Sequence, residues 1–268
     1  RGIVPLNWSL DHSGPMARTA ADCAIILNAI AGFDDQDPTS VDMPVPDYAE
    51  YLQSSFSLSA PLEGVRVGIP RNFFFDTNAV APVMGSTVQA AAEVLKSLGA
   101  TISDFDFPAP VDFPSSGAFF AEALAYHEKS FAEHPELYSP AIRQRLTANA
   151  AISGVDYSRH LWLKLELQQH MRRIFRDIDL VLTPASPIVA PTIDSIDRSF
   201  SGATLLGRNT SPFNVLGIPT IALPGGFSED GLPVGLQIAG RWWEEGLVLR
   251  AAHAYQQIAD WHKRRPPV

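Results

Sequence analysis

The strand–helix–strand pattern between residues 65 and 107 constrains the fold more than any other feature. Apolar side chains alternate with Arg66 and Gly68 from Val65 to Ile69, as expected of a strand with one buried face. An Ala-rich helix is predicted over 82–98, and a second strand over 100–107. Such a unit joins two parallel strands through a right-handed crossover. The sequence therefore predicts a parallel pair of strands covered by a helix.

Three further strands are predicted in the C-terminal third. Residues 178–183 are almost continuously apolar, which is typical of a strand buried on both faces. Strands over 220–223 and 234–239 flank a loop that contains Asp230-Gly231, so we expect an antiparallel hairpin. Mixed strand directions with intervening helices predict an α/β fold, a three-layer arrangement in which a mixed β-sheet is flanked by helices.

Helix starts carry clear capping signals. Thr19 with Asp22 predicts a cap for a helix over 20–31, and Ser139-Pro140 predicts the start of another over 141–150. Further helices are expected over 116–133, 156–176 and 244–259. Another is expected within 202–216, and it should end at Ser211. Residues 36–61 are rich in Pro, Asp and Ser. We interpret them as a surface connection with one helical turn over 48–53.

Composition narrows the class of protein. Of the 268 residues, 46% are hydrophobic and 18% are charged, so the chain is expected to be globular. Residues 1–268 are expected to belong to one domain. A net charge of −9 without clustered Lys and Arg argues against nucleic-acid binding. No apolar run approaches the ~20 residues of a membrane span, so no membrane association is expected. Cys23, the only cysteine, lies in a predicted helix; we expect a buried thiol and a cytoplasmic protein.

Five short blocks follow one another in a fixed order. They are Ser9-Leu10-Asp11-His12-Ser13-Gly14-Pro15-Met16-Ala17-Arg18-Thr19, Asp34-Asp35-Gln36-Asp37-Pro38-Thr39-Ser40, Asp179-Leu180-Val181-Leu182-Thr183-Pro184, Pro212-Phe213-Asn214-Val215-Leu216-Gly217-Ile218-Pro219 and Gly231-Leu232-Pro233-Val234-Gly235-Leu236-Gln237-Ile238-Ala239-Gly240-Arg241. This ordered set resembles the C-terminal half of the amidase signature family. The resemblance implies hydrolysis of a carboxylic amide to an acid and ammonia or an amine, with no metal or organic cofactor.

The resemblance also implies that the nucleophilic Ser, the cis-Ser and the Lys of the family lie upstream of Ser9. We therefore expect no catalytic residue in this chain and no activity from it alone. A serine nucleophile needs a neighbouring base and donors for the oxyanion. Gly225-Gly226-Phe227-Ser228 is superficially similar to a nucleophile loop, but we interpret it as a hairpin turn. No pair of histidines has metal-ligand spacing, whereas an independent Ser/His/Asp triad stays open.

Part of a substrate pocket is implied by the same resemblance. Thr183 ends a buried strand, and ligands of open α/β sheets lie at such carboxyl ends. Thr210 and Asn214 belong to the block that the family places beside the acyl group. We expect the three side chains to gather on one side of the sheet. For Asn214 the alternative is a cap of the turn before Gly217.

Charged residues near this predicted pocket have competing interpretations. Arg143 and Arg145 lie in a helix that resembles the Arg-bearing segment of the family, and Arg145 or Arg143 would suit a substrate carboxylate, but a solvated helix face is the alternative for both. Asp11 is expected to support the nucleophile loop without contacting the substrate. The pair Asp11-His12 is also typical of a turn that side chains organise through bonds to the backbone.

Other functions fit the same blocks. The A-type subunit of glutamyl-tRNA amidotransferase is similar, but it carries an acid before its Pro-x-Asn motif that holds the glutamine ammonium. Residues 205–209 contain no acid, which favours a general amidase. A non-catalytic binding module, and a subunit completed by a partner chain, remain alternatives.

We also expect an apolar strip, formed by residues 3–10 and the strands at Val65 and Ile178, that would pair with the missing half or with a second copy.

Overall fold

The computed structural model describes residues 2–56, 59–108, 116–195 and 205–265. The helices are α1 (Ala20–Ile30), α2 (Tyr48–Phe56), α3 (Pro82–Ser97), α4 (Ser116–Glu133), α5 (Pro140–Asn149), α6 (Gly154–Ile174), α7 (Ser211–Leu216) and α8 (Glu245–Ile258). The strands are β1 (Arg66–Pro70), β2 (Thr101–Phe105), β3 (Leu180–Pro184), β4 (Thr220–Phe227) and β5 (Pro233–Gly240).

The strands form one mixed sheet in the order β2-β1-β3-β5-β4. β1 pairs in parallel with β2, which confirms the predicted strand–helix–strand unit, and it also pairs in parallel with β3. β5 pairs antiparallel with β3 and with β4, which confirms the predicted hairpin. All five residues of β3 are buried, so the apolar run at 180–184 reflects a central strand covered on both faces.

Two hydrophobic clusters cover opposite faces of this sheet. On one face Leu180 and Leu182 of β3 pack with α3 and α8. On the other, Val181 packs with Met171 of α6, Phe213 of α7 and Leu10. Alternate residues of a strand point to opposite faces of the sheet. The two clusters therefore fill the two interfaces between the sheet and the helix layers on either side of it, as in a three-layer fold. The predicted α/β class with a mixed sheet between helices is therefore confirmed.

Helix starts agree with their capping signals. The Thr19 hydroxyl accepts a hydrogen bond from the Asp22 backbone N–H at 3.0 Å, and Ser139 does the same for Ile142 at 3.4 Å. The segment over 36–61 is only partly a surface connection: Tyr48 and Leu52 of α2 are buried against α1 and α8. Burial of these two side chains explains why the predicted helical turn extends into a full helix.

Two expectations were wrong in position. One helix was predicted to end at Ser211. Instead, helical residues are found at 205–206 and turns follow them, and a separate helix, α7, begins at Ser211. Val65 and Ile178 do not contribute to an exposed strip, because β1 and β3 are internal strands and both side chains are buried. Residues 3–8 do carry exposed apolar side chains, but Leu10 is buried. In the described residues no helix is long and apolar enough to span a bilayer.

Candidate active site

The segment over residues 6–12 forms a compact turn around one carboxylate. Asp11 accepts hydrogen bonds from the backbone N–H groups of Leu6 and Asn7, at 2.7 and 3.1 Å. The Asn7 carbonyl in turn accepts from the backbone of Leu10 and Asp11. His12 completes the turn, since its Nδ1 lies 2.7 Å from the Leu10 carbonyl oxygen. Asp11 and His12 thus organise a turn through bonds to the backbone. A supporting role of Asp11 for the nucleophile loop stays a prediction.

Glu122 of α4 holds this turn from one side. Its carboxylate accepts from the Ser9 backbone N–H at 2.8 Å and from the Ser9 hydroxyl at 2.7 Å. The Tyr157 hydroxyl donates to the same carboxylate at 2.7 Å, and burial together with Glu122 raises the pKa of Tyr157 to about 12. The sequence alone does not reveal this cluster, because Glu122 lies 113 residues from Ser9 along the chain.

Lys164 of α6 holds the other side of the same turn. Its ammonium donates to the Ser9 carbonyl oxygen at 2.6 Å. Burial lowers the pKa of Lys164, and the nearby Glu122 carboxylate opposes that shift. Ser9 is therefore fixed at its N–H, its hydroxyl and its carbonyl by two helices. In chemical terms the cluster fixes the position of the backbone around Ser9.

Asn214 of α7 contacts this turn as well. Its side-chain amide donates to the Leu10 carbonyl oxygen at 3.2 Å and lies 3.2 Å from His12 Nδ1. Gly217, with φ of +69°, ends α7 in the left-handed conformation that favours glycine. The Asn214 amide thus joins the Pro212–Asn214 block to the Ser9–His12 turn rather than capping the turn before Gly217.

Thr183 lies in a polar patch at the carboxyl end of β3. It is fully buried, and its hydroxyl has no hydrogen-bond partner among the described residues. Gln237 of β5 is its neighbour in the sheet and donates to the carbonyl oxygens of Asn209 and Pro184, at 2.7 and 3.3 Å. Asn209 also donates to Pro184, at 3.1 Å. Asn209 is also fully buried and was not singled out from the sequence, because its partners lie 25 and 28 residues away along the chain.

The predicted pocket residues therefore occupy different environments. Thr183 has the same strand parity as Val181, so it faces the layer that contains α6 and α7. Asn214 belongs to that layer, but its bonds go to Leu10 and His12. Thr210 is exposed, and its hydroxyl donates to the Gly207 carbonyl oxygen at 3.2 Å. No hydrogen bond within the described chain joins the three side chains to one another, and a shared pocket stays a prediction.

The two candidate arginines lie on α5. Arg145 is 5.9 Å from the centroid of the Phe120 ring, a cation–π contact between α5 and α4. Arg143 donates to the Pro135 carbonyl oxygen at 3.3 Å from an exposed position. Neither contact involves β3 or α7. A substrate-binding role for Arg145 stays a prediction.

Arg208 supplies the charge in the stretch before the Pro212–Asn214 block. Its guanidinium donates to the Phe73 carbonyl oxygen at 2.7 Å, stacks 3.7 Å from the Phe73 ring centroid and lies 3.9 Å from the Asp76 carboxylate. Burial lowers the pKa of Arg208, and Asp76 partly offsets that effect. The arginine before this block is thus held by Phe73 and by a carboxylate, Asp76, that comes from another part of the chain.

The glycine pair at 225–226 does not belong to a nucleophile loop, and it does not form the hairpin turn either. Both glycines lie inside β4, and the turn is made by the residues that follow. A Cβ atom on Gly225 would lie 2.6 Å from Thr87 Cγ2, so glycine here allows the close approach of α3. The Ser228 hydroxyl accepts from the Leu232 backbone N–H at 3.1 Å.

In the part of the chain that the structure describes, the cysteine thiol is not activated and no metal ligands are assembled. Cys23 is buried, and burial raises the pKa of its thiol, which disfavours the reactive thiolate. Within residues 2–56, 59–108, 116–195 and 205–265, no group of three or more His, Cys, Asp or Glu side chains could hold a metal ion.

Comparison with known proteins decides the family. The amidase family model matches residues 1–249. The chain belongs to the amidase signature family. An amidase from Pseudomonas putida is 37% identical over 276 residues, which cover 99% of this chain and 57% of that protein. The A-type subunit of glutamyl-tRNA(Gln) amidotransferase from Ectopseudomonas mendocina is 33% identical over 294 residues, with 99% of this chain and 58% of that protein covered.

A solved amidase structure shares this fold: that of a peptide amidase in complex with chymostatin superposes with a TM-score of 0.75 at 25% identity, covering 100% of this chain and 57% of the other. A structure described under "An unexpected vestigial protein complex reveals the evolutionary origins of an s-triazine catabolic enzyme" superposes with a TM-score of 0.84 at 26% identity. That match covers 97% of this chain and 56% of the other. The chain therefore spans somewhat more than half the length of the amidase relatives it matches.

Proposed function

We propose that this chain is the C-terminal portion of an amidohydrolase that cleaves a carboxylic amide to an acid and ammonia or an amine. The match to the amidase family over residues 1–249 carries the proposal. In this proposal the Ser, cis-Ser and Lys of the family lie upstream of Ser9, and a small-molecule amide is the substrate. A reducing compartment such as the cytoplasm belongs to the same proposal, because Cys23 is a free thiol.

The described residues then have a supporting role. Glu122, Lys164 and Asn214 fix the turn over 6–12, which follows the nucleophile loop in the family. Positioning of this kind matters because the attacking hydroxyl must lie within about 3–3.5 Å of the carbonyl carbon. The buried Thr183 hydroxyl, which has no partner among the described residues, is available to a group supplied from outside them.

Labelling with a fluorophosphonate probe tests the proposal directly. We expect no labelled serine and no ammonia release from simple amides when residues 1–268 are purified alone. The protein extended upstream to include the family's nucleophile loop should be labelled there and should release ammonia. Uncatalysed amide hydrolysis is slow enough that even weak activity exceeds background.

Two results would contradict this assignment. A labelled serine within residues 1–268, with turnover that survives removal of contaminants, would show a separate site in this chain. An extended protein that is neither labelled nor active on any amide would favour a non-catalytic binding module.

A second candidate is an A-type subunit of a glutamyl-tRNA amidotransferase, favoured by the 33% identity to such subunits. The stretch over 205–209 argues against it, because it contains no acid that could hold the ammonium of glutamine. We expect the extended protein to hydrolyse neutral amides far faster than glutamine. Glutamine hydrolysis that rises on addition of B- and C-type partner subunits would support the second candidate instead.

A further inference from the structure

An arginine-lined cavity opens on the molecule at the amino end of β3, away from Thr183 at its carboxyl end. Its volume is about 590 Å³. It is lined by Arg66, Arg172, Phe175, Arg176, Arg241 and Trp242. Four of six lining residues are arginines, contributed by β1, the end of α6 and the residue after β5. Such a concentration of positive charge is unexpected in a chain of net charge −9.

One carboxylate serves two of these arginines. Asp179 accepts from Arg66 at 2.9 Å and from Arg241 at 2.5 Å. The two guanidinium groups hold the pKa of Asp179 below its ordinary value, although burial opposes them. Asp179 is therefore ionised near neutral pH. Together with Asp177, whose charge also acts on Arg66, it offsets two of the four arginine charges and leaves the cavity positive.

The other two arginines form no ion pair with the described residues. Arg172 lies over the Trp242 ring, 5.0 Å from its centroid, and both Arg172 and Arg176 are exposed at the end of α6. In addition, Arg241 Nε is buried without a hydrogen-bond partner in the described chain. Two of the four guanidinium groups at this cavity therefore have no carboxylate partner among the described residues.

We propose that this cavity binds a multivalent oxyanion, namely the phosphate or pyrophosphate group of a small molecule. The planar fork of an arginine matches two oxygens of a phosphate, and several forks around one cavity suit an anion of more than one charge. The Trp242 and Phe175 rings form its apolar wall. The site is independent of the amide chemistry, and its occupancy does not rest on the proposed function.

Calorimetric titration of the purified protein with sodium pyrophosphate at constant ionic strength tests the proposal. We expect saturable binding that is accompanied by a change in tryptophan fluorescence, lost in Trp242→Phe. The double variant Arg172→Gln/Arg176→Gln should bind at least tenfold more weakly. Arg159→Gln is the matched control, because Arg159 lies exposed on the same helix and pairs with Asp156. Its affinity should equal that of the parent protein.

Several results would overturn the proposal. They are no saturable binding of pyrophosphate, equal weakening by Arg159→Gln, or binding of RNA but not of pyrophosphate through the same arginines. Thermal unfolding of each variant checks the fold. If the double variant is unstable, Arg176→Gln alone carries the test, because it leaves the contact between Arg172 and the Trp242 ring in place. It should then weaken binding at least threefold.

Discussion

At the scale of single residues, the polar groups on one face of the sheet differ in how well they are satisfied. Glu122 receives three hydrogen bonds, from Ser9 twice and from Tyr157. Thr183, by contrast, has a fully buried hydroxyl with no partner in the described residues. An unsatisfied buried hydroxyl costs free energy, and such groups are rare in folded proteins.

We expect Thr183→Val to leave the free energy of unfolding unchanged or to raise it by up to about 1 kcal/mol, because valine has the same shape and no polar group to satisfy. Urea unfolding measures this. Thr183→Ser is the matched control: it keeps the hydroxyl and should destabilise through the lost methyl group. If Thr183 lies in the substrate pocket, Thr183→Val lowers kcat/KM of the extended enzyme despite its stability. A clearly destabilised Thr183→Val would show that the hydroxyl has a partner.

Glu122→Gln should lower the free energy of unfolding by about 1–3 kcal/mol, since an amide cannot accept all three of the bonds that Glu122 receives. Glu128→Gln, at an exposed site on the same helix, should change it by less than about 0.5 kcal/mol. Urea unfolding of both variants decides the matter. Equal effects at the two positions would refute a special role for the cluster around Ser9.

Tyr157 gives that cluster a pH dependence at the alkaline end. Its pKa is raised from 10.0 to about 12, so the folded state holds the phenolic proton more tightly than the unfolded state. The stabilisation is complete below pH 10 and is lost as the pH rises towards 12. We expect Tyr157→Phe to remove this part of the decline in stability. Phenolate absorbance of the wild type titrating with an ordinary tyrosine pKa would contradict the expectation.

At the scale of elements, the sequence predicted strands and helices better than it predicted their surroundings. The alternation at 65–69 and the cap at Thr19 are local signals, and both elements formed where expected. The glycines at 225–226 were misplaced because a glycine needed for close packing looks the same in sequence as one needed for a turn. The cluster around Glu122 depends on contacts between distant segments, which one sequence does not reveal.

Gly225 and Gly226 offer a matched test of that packing argument. A Cβ on Gly225 would approach Thr87 Cγ2 to 2.6 Å and Leu236 Cδ2 to 2.9 Å, whereas on Gly226 the nearest atom is 3.7 Å away. We expect Gly225→Ala to cost about 1–3 kcal/mol of unfolding free energy through overpacking against α3. Gly226→Ala should cost much less, and Thr87→Ser should partly restore Gly225→Ala. Similar costs for the two glycines would mean that backbone conformation, not space, selects them.

At the scale of the whole molecule, exposed apolar side chains are concentrated near the N-terminus. More than half of the large exposed apolar residues in the described chain lie within residues 3–45, among them Ile3, Trp8, Met16 and Ile30. Exposed apolar side chains that lie together on a surface mark interfaces in soluble proteins. The sequence predicted this property for residues 3–10, of which Leu10 is buried, and also assigned it to two strands, because the order of strands in a sheet is not encoded locally.

We expect residues 1–268 to bind a hydrophobic dye and to self-associate, with both effects reduced by Ile26→Gln/Ile30→Gln on α1. Leu137→Gln serves as the control, since Leu137 is exposed elsewhere in the chain. Dye fluorescence and sedimentation velocity are the measurements. A monodisperse monomer without dye binding would argue that this surface has no partner, neither an upstream half nor a second copy.

The bond between Arg66 and Asp179 has a consequence for the time course of folding. It joins the start of β1 to the start of β3 across 113 positions of the chain, while β4 and β5 meet through a five-residue loop. Each doubling of loop length adds only about 0.6 kcal/mol to the entropic cost of closing the loop, but the two ends of a longer loop meet more slowly. The hairpin should therefore gain hydrogen-exchange protection early in refolding, and the β1–β3 seam should be the last part of the sheet to do so.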